Sequence, residues 1–454
     1  MRCNLACVVG LALVAVGCGA GEKLDRAALL DPTACQQCHS DHYREWSGSM
    51  HAYAADDPVF LAMNARGQRE TSGALGDFCV RCHAPMALRE GLTTDGLNLA
   101  DLPQAYKGVT CYFCHNVEAV EGEHNNPLRL ANDAVMRGGI ANPARGAGHE
   151  AAYSKLLDRA EPAASGVCGA CHDVVTPAGV HLERSFEEWR GSLFAHETQA
   201  ELQTCVRCHM PGRDGLAAYV EGVPVRRVHD HAMPGVDVAV TEWPEADAQR
   251  AAIQRDLDTT VFAVLCVKRV LGGVELRVDL EDFAAGHHFP SGAAHDRRAW
   301  VELRASRAGR TVYETGVLAA DRPLVALEAE DPDLWRIGDR VTRADGSPAH
   351  MFWDVAAVES MILPVPTALS PQDPAYVDPH VVRTFQVDDV PDRVELRVHV
   401  RPIGLDVLDD LVASGDLDPA LRARFPTFTL GATEVVWTPE ADDRDGDGCI
   451  PDVN

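Results

Sequence analysis

Cys35-Gln-Gln-Cys38-His39, Cys79-Val-Arg-Cys82-His83, Cys111-Tyr-Phe-Cys114-His115, Cys168-Gly-Ala-Cys171-His172 and Cys205-Val-Arg-Cys208-His209 are five copies of one pattern, Cys-x-x-Cys-His. Two thiols and the imidazole directly after them form the covalent attachment signature of c-type haem. The thiols bond the porphyrin vinyl groups and the imidazole takes the iron from the proximal side. Paired Cys-x-x-Cys units also build zinc ribbons, but zinc does not require His after every second Cys. Only 19 of 454 residues are His, so five such neighbours in five units are no accident of composition. The reading is five covalently bound haem c groups. Cys35, Cys38, Cys79, Cys82, Cys111, Cys114, Cys168, Cys171, Cys205 and Cys208 hold them, and His39, His83, His115, His172 and His209 are the proximal ligands.

The N-terminus points to export. Met1-Arg2 precedes an apolar run from Leu5 to Gly17, too short to span a membrane and of the form of a secretory signal over 1–17. It ends Ala15-Val16-Gly17-Cys18, which resembles a bacterial lipoprotein processing site with Cys18 as the lipidated residue. Ordinary signal cleavage, with Cys18 incidental, is the alternative. The expected location is therefore the periplasm or the cell surface, with membrane contact only through that anchor. Among the 15 cysteines, Cys266 and Cys449 remain after haem attachment, the signal and Cys18 are accounted for. In an oxidising compartment they form one disulfide or stay as two thiols. The formal charge of −27 excludes nucleic acid and anionic membrane surfaces as natural partners. It favours a basic redox protein, or a cationic or mineral acceptor outside the cell.

Beyond the haem segment the texture changes. Val274, Leu276, Val278 and Leu280 alternate with Glu275, Arg277 and Asp279. Val301, Leu303 and Ala305 alternate with Glu302 and Arg304, and Val394, Leu396, Val398 and Val400 with Glu395, Arg397, His399 and Arg401. Period-two alternation marks antiparallel strands with one wet face, most simply a β-sandwich, and puts His399 on the polar face. Leu405, Leu408 and Leu411 predict a helical insertion, and Asp418-Pro419 starts a second short helix. In the haem segment, helices are expected around Asp41–Met50, Glu150–Arg159 and Phe186–His196. The fold class is thus α+β multidomain: a mostly α or irregular multihaem cytochrome c domain over 18–250, then an antiparallel β-sandwich domain over 251–438. The tail, 439–454, places Asp443, Asp445 and Asp447 at positions 1, 3 and 5 of a calcium-type loop, with Gly448 at position 6. Position 12 is Asn454 instead of Glu, so an acidic tail without calcium is the alternative.

Function turns on the sixth ligands. A haem with a second axial His is saturated and suited to electron transfer, whereas an open distal side binds small molecules. His51, in Trp46-Ser-Gly-Ser49-Met-His51, is a distal candidate, as are His149, His231 in His-Ala-Met-Pro-Gly, and His287 in Gly-His-His-Phe-Pro-Ser-Gly. Trp189-Arg-Gly-Ser192-Leu-Phe194-Ala-His196 half-repeats the Trp46 stretch, with Phe194 in the place of His51, which leaves His196 as a shifted candidate. His42, His124 and His181 are balanced between ligand and surface roles. Met210 follows a proximal His and points the wrong way to serve the same haem.

These stretches resemble multihaem cytochromes of the cytochrome c-552/c-554 type, within the hydroxylamine oxidoreductase-like superfamily. The resemblance rests on Trp46-x-x-Ser49-x-His51, Gly108-Val-Thr-Cys111, Cys168-Gly-Ala-Cys-His-Asp173, Glu188-Trp-x-x-Ser192, Cys205-x-x-Cys-His-Met-Pro211, His231-x-Met-Pro-Gly235 and Gly286-His-x-Phe-Pro-Ser-Gly292. It implies stacked, mostly bis-His haems that pass electrons. It also implies distal roles for His51, His149, His231 and His287, and a β domain as a common C-terminal partner. No Cys-x-x-Cys-Lys occurs, so the Lys-ligated haem of pentahaem nitrite reductases has no counterpart. The expected function is electron transfer, with no catalytic residue assigned. Two other functions stay open: an enzyme with one open haem acting on a small nitrogen or sulfur compound, and an assembly subunit of an extracellular electron-transfer chain.

Overall fold

The computed structural model describes residues 23–144, 148–195, 202–441 and 447–451. The signal and Cys18, His196, Asp443 and Asp445 lie outside these residues. Among the described residues no helix is long and apolar enough to cross a membrane.

The segment that carries the five motifs is built from short helices and two-stranded ribbons. Its longest helix before residue 245 is Pro58–Glu70, which Asp57 caps by accepting from the Val59 N–H at 3.0 Å, with proline in the first turn. The expected helix near residue 41 is present as Ser40–Ser47, followed by Met50–Tyr53. The one expected at 186 runs from Ser185 to Gly191 and continues as a 3-10 turn, Leu193–Ala195. The helix expected over Glu150–Arg159 is absent. Glu150–Tyr153 is a strand pairing in parallel with Val135–Gly138, and Lys155–Leu157 is a 3-10 turn. Pairing with a partner strand overrode the local preference there.

A helix, Ala246–Thr260, leads into the sheets. Its Gln249 donates to Gly48 O at 2.9 Å and accepts from Ala239 N at 2.9 Å, which ties the two halves of the chain together. We number the strands that follow β1 (Phe262–Val270), β2 (Gly273–Glu281), β3 (Arg298–Arg307), β4 (Arg310–Thr315), β5 (Trp335–Thr342), β6 (Ala357–Met361), β7 (His380–Val387), β8 (Arg393–Arg401), β9 (Phe428–Thr429), β10 (Val435–Trp437) and β11 (Cys449–Ile450). One sheet has the order β7-β2-β1-β11. The other runs β6-β5-β3-β8-β9, with β4 also on β3 and β10 also on β8. Every pairing in the two sheets is antiparallel. The alternation read from β2, β3 and β8 is the inward face. Leu276, Val278, Leu280, Val301, Leu303, Leu396 and Val398 are fully buried in one core. The predicted helix is Leu405–Ala413, and Asp418 caps a 3-10 helix, Pro419–Arg424.

One reading of a single residue changes, and one open pairing closes. His399 is not solvent-exposed: Trp300 and the β9 ribbon cover its face of the sheet. Its Nδ1 lies 3.0 Å from Thr429 Oγ1, its Nε2 lies 3.4 Å from Glu302, and its side chain is 13% exposed. Cys266 and Cys449 are a disulfide joining β1 to β11 across 183 residues of chain. In the chain-entropy view a cross-link of that span stabilises by up to about 5 kcal/mol. Cys449→Ser is therefore expected to lower the thermal midpoint, and a reductant to lower that of the wild type to the same value and leave the variant's unmoved.

Candidate haem sites

Each motif folds as a single helical turn, and that local structure makes it useful. Residues i, i+3 and i+4 of a helix share one face, so both thiols and the imidazole point the same way. Val80–His83, Cys111–His115 and Cys205–His209 are such turns. His39 ends one turn and starts the helix Ser40–Ser47, and His172 closes the turn that follows Ala163–Gly169. Thr110 caps the third turn by accepting from Phe113 N.

The fold then brings a second imidazole opposite four of the five. Ring centroids are 6.0 Å apart for His39 and His149, 6.0 Å for His172 and His51, 6.2 Å for His115 and His231, and 6.3 Å for His209 and His287. Two imidazoles on opposite sides of one metal, with nitrogens about 2 Å from it and ring centres about 1 Å further out, give centroids about 6 Å apart. The spacing fits an iron held between each pair. The ring nitrogens agree. Nδ1 of His39, His83, His115 and His209 faces the backbone carbonyls of Ala217 (2.6 Å), Ala54 (3.2 Å), Arg137 (2.5 Å) and Pro234 (2.7 Å). Nδ1 of His149, His231 and His287 faces the carbonyls of Glu150 (2.8 Å), His229 (2.8 Å) and His288 (2.9 Å). A carbonyl only accepts, so Nδ1 carries the proton and Nε2 keeps its lone pair for the metal. Burial pushes His51 down to about 3 and His172 and His287 to about 4, with neighbouring histidines adding to the effect.

His51 is placed by three features of its own stretch. Ser49 caps the helix Met50–Tyr53, Trp46 Nε1 donates to Val109 O at 2.8 Å, and Val109 N donates to His51 O at 2.8 Å. Gly108 makes the last contact possible. Its φ is +69°, and a Cβ there would sit 2.5 Å from the His51 carbonyl oxygen. Gly108→Ala is expected to cost more than about 1 kcal/mol in unfolding free energy and to broaden the low-spin haem signals. The half-repeat at Trp189 has the same hydrogen bonds: Trp189 Nε1 donates to Gln203 O at 2.7 Å, and Ser192 Oγ to Trp189 O at 2.7 Å.

His149 does not lie on a helix; it precedes the strand Glu150–Tyr153. His287 lies between β2 and β3. His42 comes within 6.3 Å of His39 and 4.8 Å of His231, but sits one helical turn from His39 and hence beside that ring, not across from it. His124 and His181 are 6.2 Å apart and both exposed, and neither ring is paired with a motif histidine. For His83, no second imidazole faces the ring among the described residues; Phe60 stacks on it at 4.0 Å. In the tail, Asp447 Oδ1 accepts from Cys449 N at 2.7 Å, and the described residues assemble no calcium cage.

The motifs also sit close together. The thiols of Cys35 and Cys111, of Cys82 and Cys171, and of Cys168 and Cys205 lie side by side, while Cys114 lies within electrostatic reach of Cys168 and Cys171. The first motif thus neighbours the third, and the fourth neighbours the second, third and fifth. Sequence reasoning had no access to the carbonyls that fix the ring nitrogens, because a backbone oxygen carries no residue signature. Phe60 had none either.

Turns of the haem-attachment pattern, with imidazoles paired across from four of them, are the arrangement expected of a multihaem c-type cytochrome. Residues 34–116 match the family model described as "Cytochrome c554 and c-prime". The fold is that of a penta-haem cytochrome c552 from Thermochromatium tepidum, at 20% identity and a TM-score of 0.59, over 89% of this chain and 97% of that one. No curated protein matches the sequence. The family match and the shared fold support a cytochrome of the c552/c554 type.

Proposed function

We propose that the protein is an exported pentahaem electron carrier, four of whose haems are held by two histidines each. The observation that carries this reading is the set of four His–His spacings between 6.0 and 6.3 Å, each pairing a motif histidine with a partner. Haem so ligated supplies reversible one-electron chemistry. The chain supplies the rest: thiols that fix each group, carbonyls that orient each imidazole, and contacts between motifs that keep the groups in one connected set. The lipoprotein-type stretch ending at Cys18 supports a periplasmic or cell-surface membrane face for the carrier. Its partners are redox proteins or an extracellular acceptor. A reductive titration with iron analysis tests the reading. It predicts five irons and five reversible electrons per chain; fewer irons, or reduction that does not reverse, would reject it.

A second reading attaches to the His83 haem alone. Among the described residues no second imidazole faces His83 across such a gap; Phe60 stacks flat on the face of its ring, beside it and not across from it. That haem is the place where a small nitrogen or sulfur compound would bind, with the other four delivering or removing electrons.

A further inference from the structure

The chain carries a net charge of −27, yet arginines converge at one haem motif. Arg159 and Arg227 both close over Gly212, where a Cβ would lie 2.7 Å from Arg159 Nη1 and 2.4 Å from Arg227 Nε. Arg207, inside the fifth motif, donates from Nε to Arg159 O at 3.4 Å. Among the described residues, none of the three has a carboxylate at ion-pair distance, and Arg159 Nε is buried without a hydrogen-bond partner. Three acids lie near them without forming an ion pair: Asp158, Asp256 and Asp214, the last opposite Arg227 on the ribbon. Asp158 is engaged by the Tyr153 hydroxyl and the Ala160 N–H, each at 3.0 Å, and Asp256 has Arg255 beside it. Arg226 adds a further guanidinium on the same ribbon, bonded to Asn142. Burial, and then the charges of Arg207 and Arg227, push Arg159 down from its usual value, as expected of like charges without counterions.

Arg159 and Arg207 lie within electrostatic reach of Cys208. A thioether at Cys208 would hold the vinyl edge of the fifth haem beside them. Arg227 is exposed and Arg207 half-buried, so both can meet an incoming partner, while Arg159 backs them from beneath. Val225, 69% exposed, adds an apolar contact on the same ribbon.

On the reading of the fifth motif as a haem site, we infer that the surface of Arg159, Arg207 and Arg227 around Cys208 docks an acidic redox protein. The net charge favours basic partners everywhere else; this patch selects the opposite sign at one exit. Local fields of this kind change encounter rates by tenfold or more and fade with salt.

The test uses the reduced holoprotein with two small oxidants, anionic ferricyanide and cationic hexaammineruthenium(III), at rising ionic strength. We expect the ferricyanide rate to fall with salt despite the negative protein. Arg207→Gln/Arg227→Gln should lower the low-salt rate about tenfold and make it rise with salt. The ruthenium rate should not change in the variant, whose unaltered Soret spectrum reports intact haem sites. Decaglutamate should also protect Arg207 and Arg227 from phenylglyoxal, read by peptide mass. A wild-type ferricyanide rate that rises with salt, or a variant with unchanged kinetics, overturns the proposal. Ferricyanide steering without decaglutamate protection overturns the protein partner in favour of a small anion. Failure of both oxidants to react overturns the haem reading beneath it.

Discussion

His51→Ala is expected to turn the haem of the fourth motif from low-spin to high-spin and to raise CO binding by the reduced protein from one to two molecules per chain. His51 lies 6.0 Å from His172, and its Nδ1 is buried without a hydrogen-bond partner, so no other group tethers the ring. Removing the ring leaves the opposite side of that site to water or CO. Added imidazole should restore the low-spin spectrum, which separates loss of a ligand from loss of fold. His124→Ala, at an exposed ring outside any motif, should leave spin state and CO stoichiometry unchanged. The larger consequence is for throughput. The fourth motif neighbours the second, third and fifth, so a changed potential there should slow electron exchange among all of them.

Asp406→Ala should destabilise the protein by about 3–5 kcal/mol, the largest stability effect expected of a single substitution outside the haem sites. Arg298, at the start of β3, and Asp406, in the helix Leu405–Ala413, pair through Nε–Oδ1 at 3.1 Å and Nη2–Oδ2 at 2.5 Å, with side chains 3% and 6% exposed. Removing the carboxylate leaves a guanidinium buried beside only the carbonyls of His295 and Arg297. Arg298→Met/Asp406→Leu should recover most of the loss, since two apolar groups leave no charge unpaired. Burial raises the Asp406 carboxyl, but the Arg298 charge and hydrogen bond outweigh it and hold the group below its usual value. A depressed carboxylate stabilises above its unfolded pKa, about 3.9, and that contribution disappears as pH falls through the folded value. The wild type should therefore lose stability below roughly pH 4 more steeply than the double variant. Equal acid sensitivity in the two would place the effect elsewhere.

Much of the architecture was legible in the chain. Five Cys-x-x-Cys-His turns announce themselves because helical spacing alone puts their three groups on one face. Strands β2, β3 and β8 were legible because one side of each is a run of Val and Leu and the other of charge. Leu405, Leu408 and Leu411 foretold their helix for the same reason at a different period. The failures share one physical cause, dependence on distant chain. Glu150–Tyr153 became a strand because Val135–Gly138 lay ready to pair with it. His399 went under cover because β9 and Trp300 pack over a face that looked polar. The candidate distal histidines were identifiable as residues, but not their pairing. His149 faces the first motif and His231 the third only because the chain folds back through ribbons that leave no periodic signature. His83 was the motif whose surroundings sequence said least about.

EPR of the oxidised protein together with CO titration of the reduced form counts the ligands at each iron. Four low-spin haems and one high-spin haem, with one CO bound per chain and loss of that CO site on disrupting the second motif by Cys79→Ala/Cys82→Ala, are the predicted result. Five low-spin haems that ignore CO, or two or more that bind it in the wild type, would contradict it.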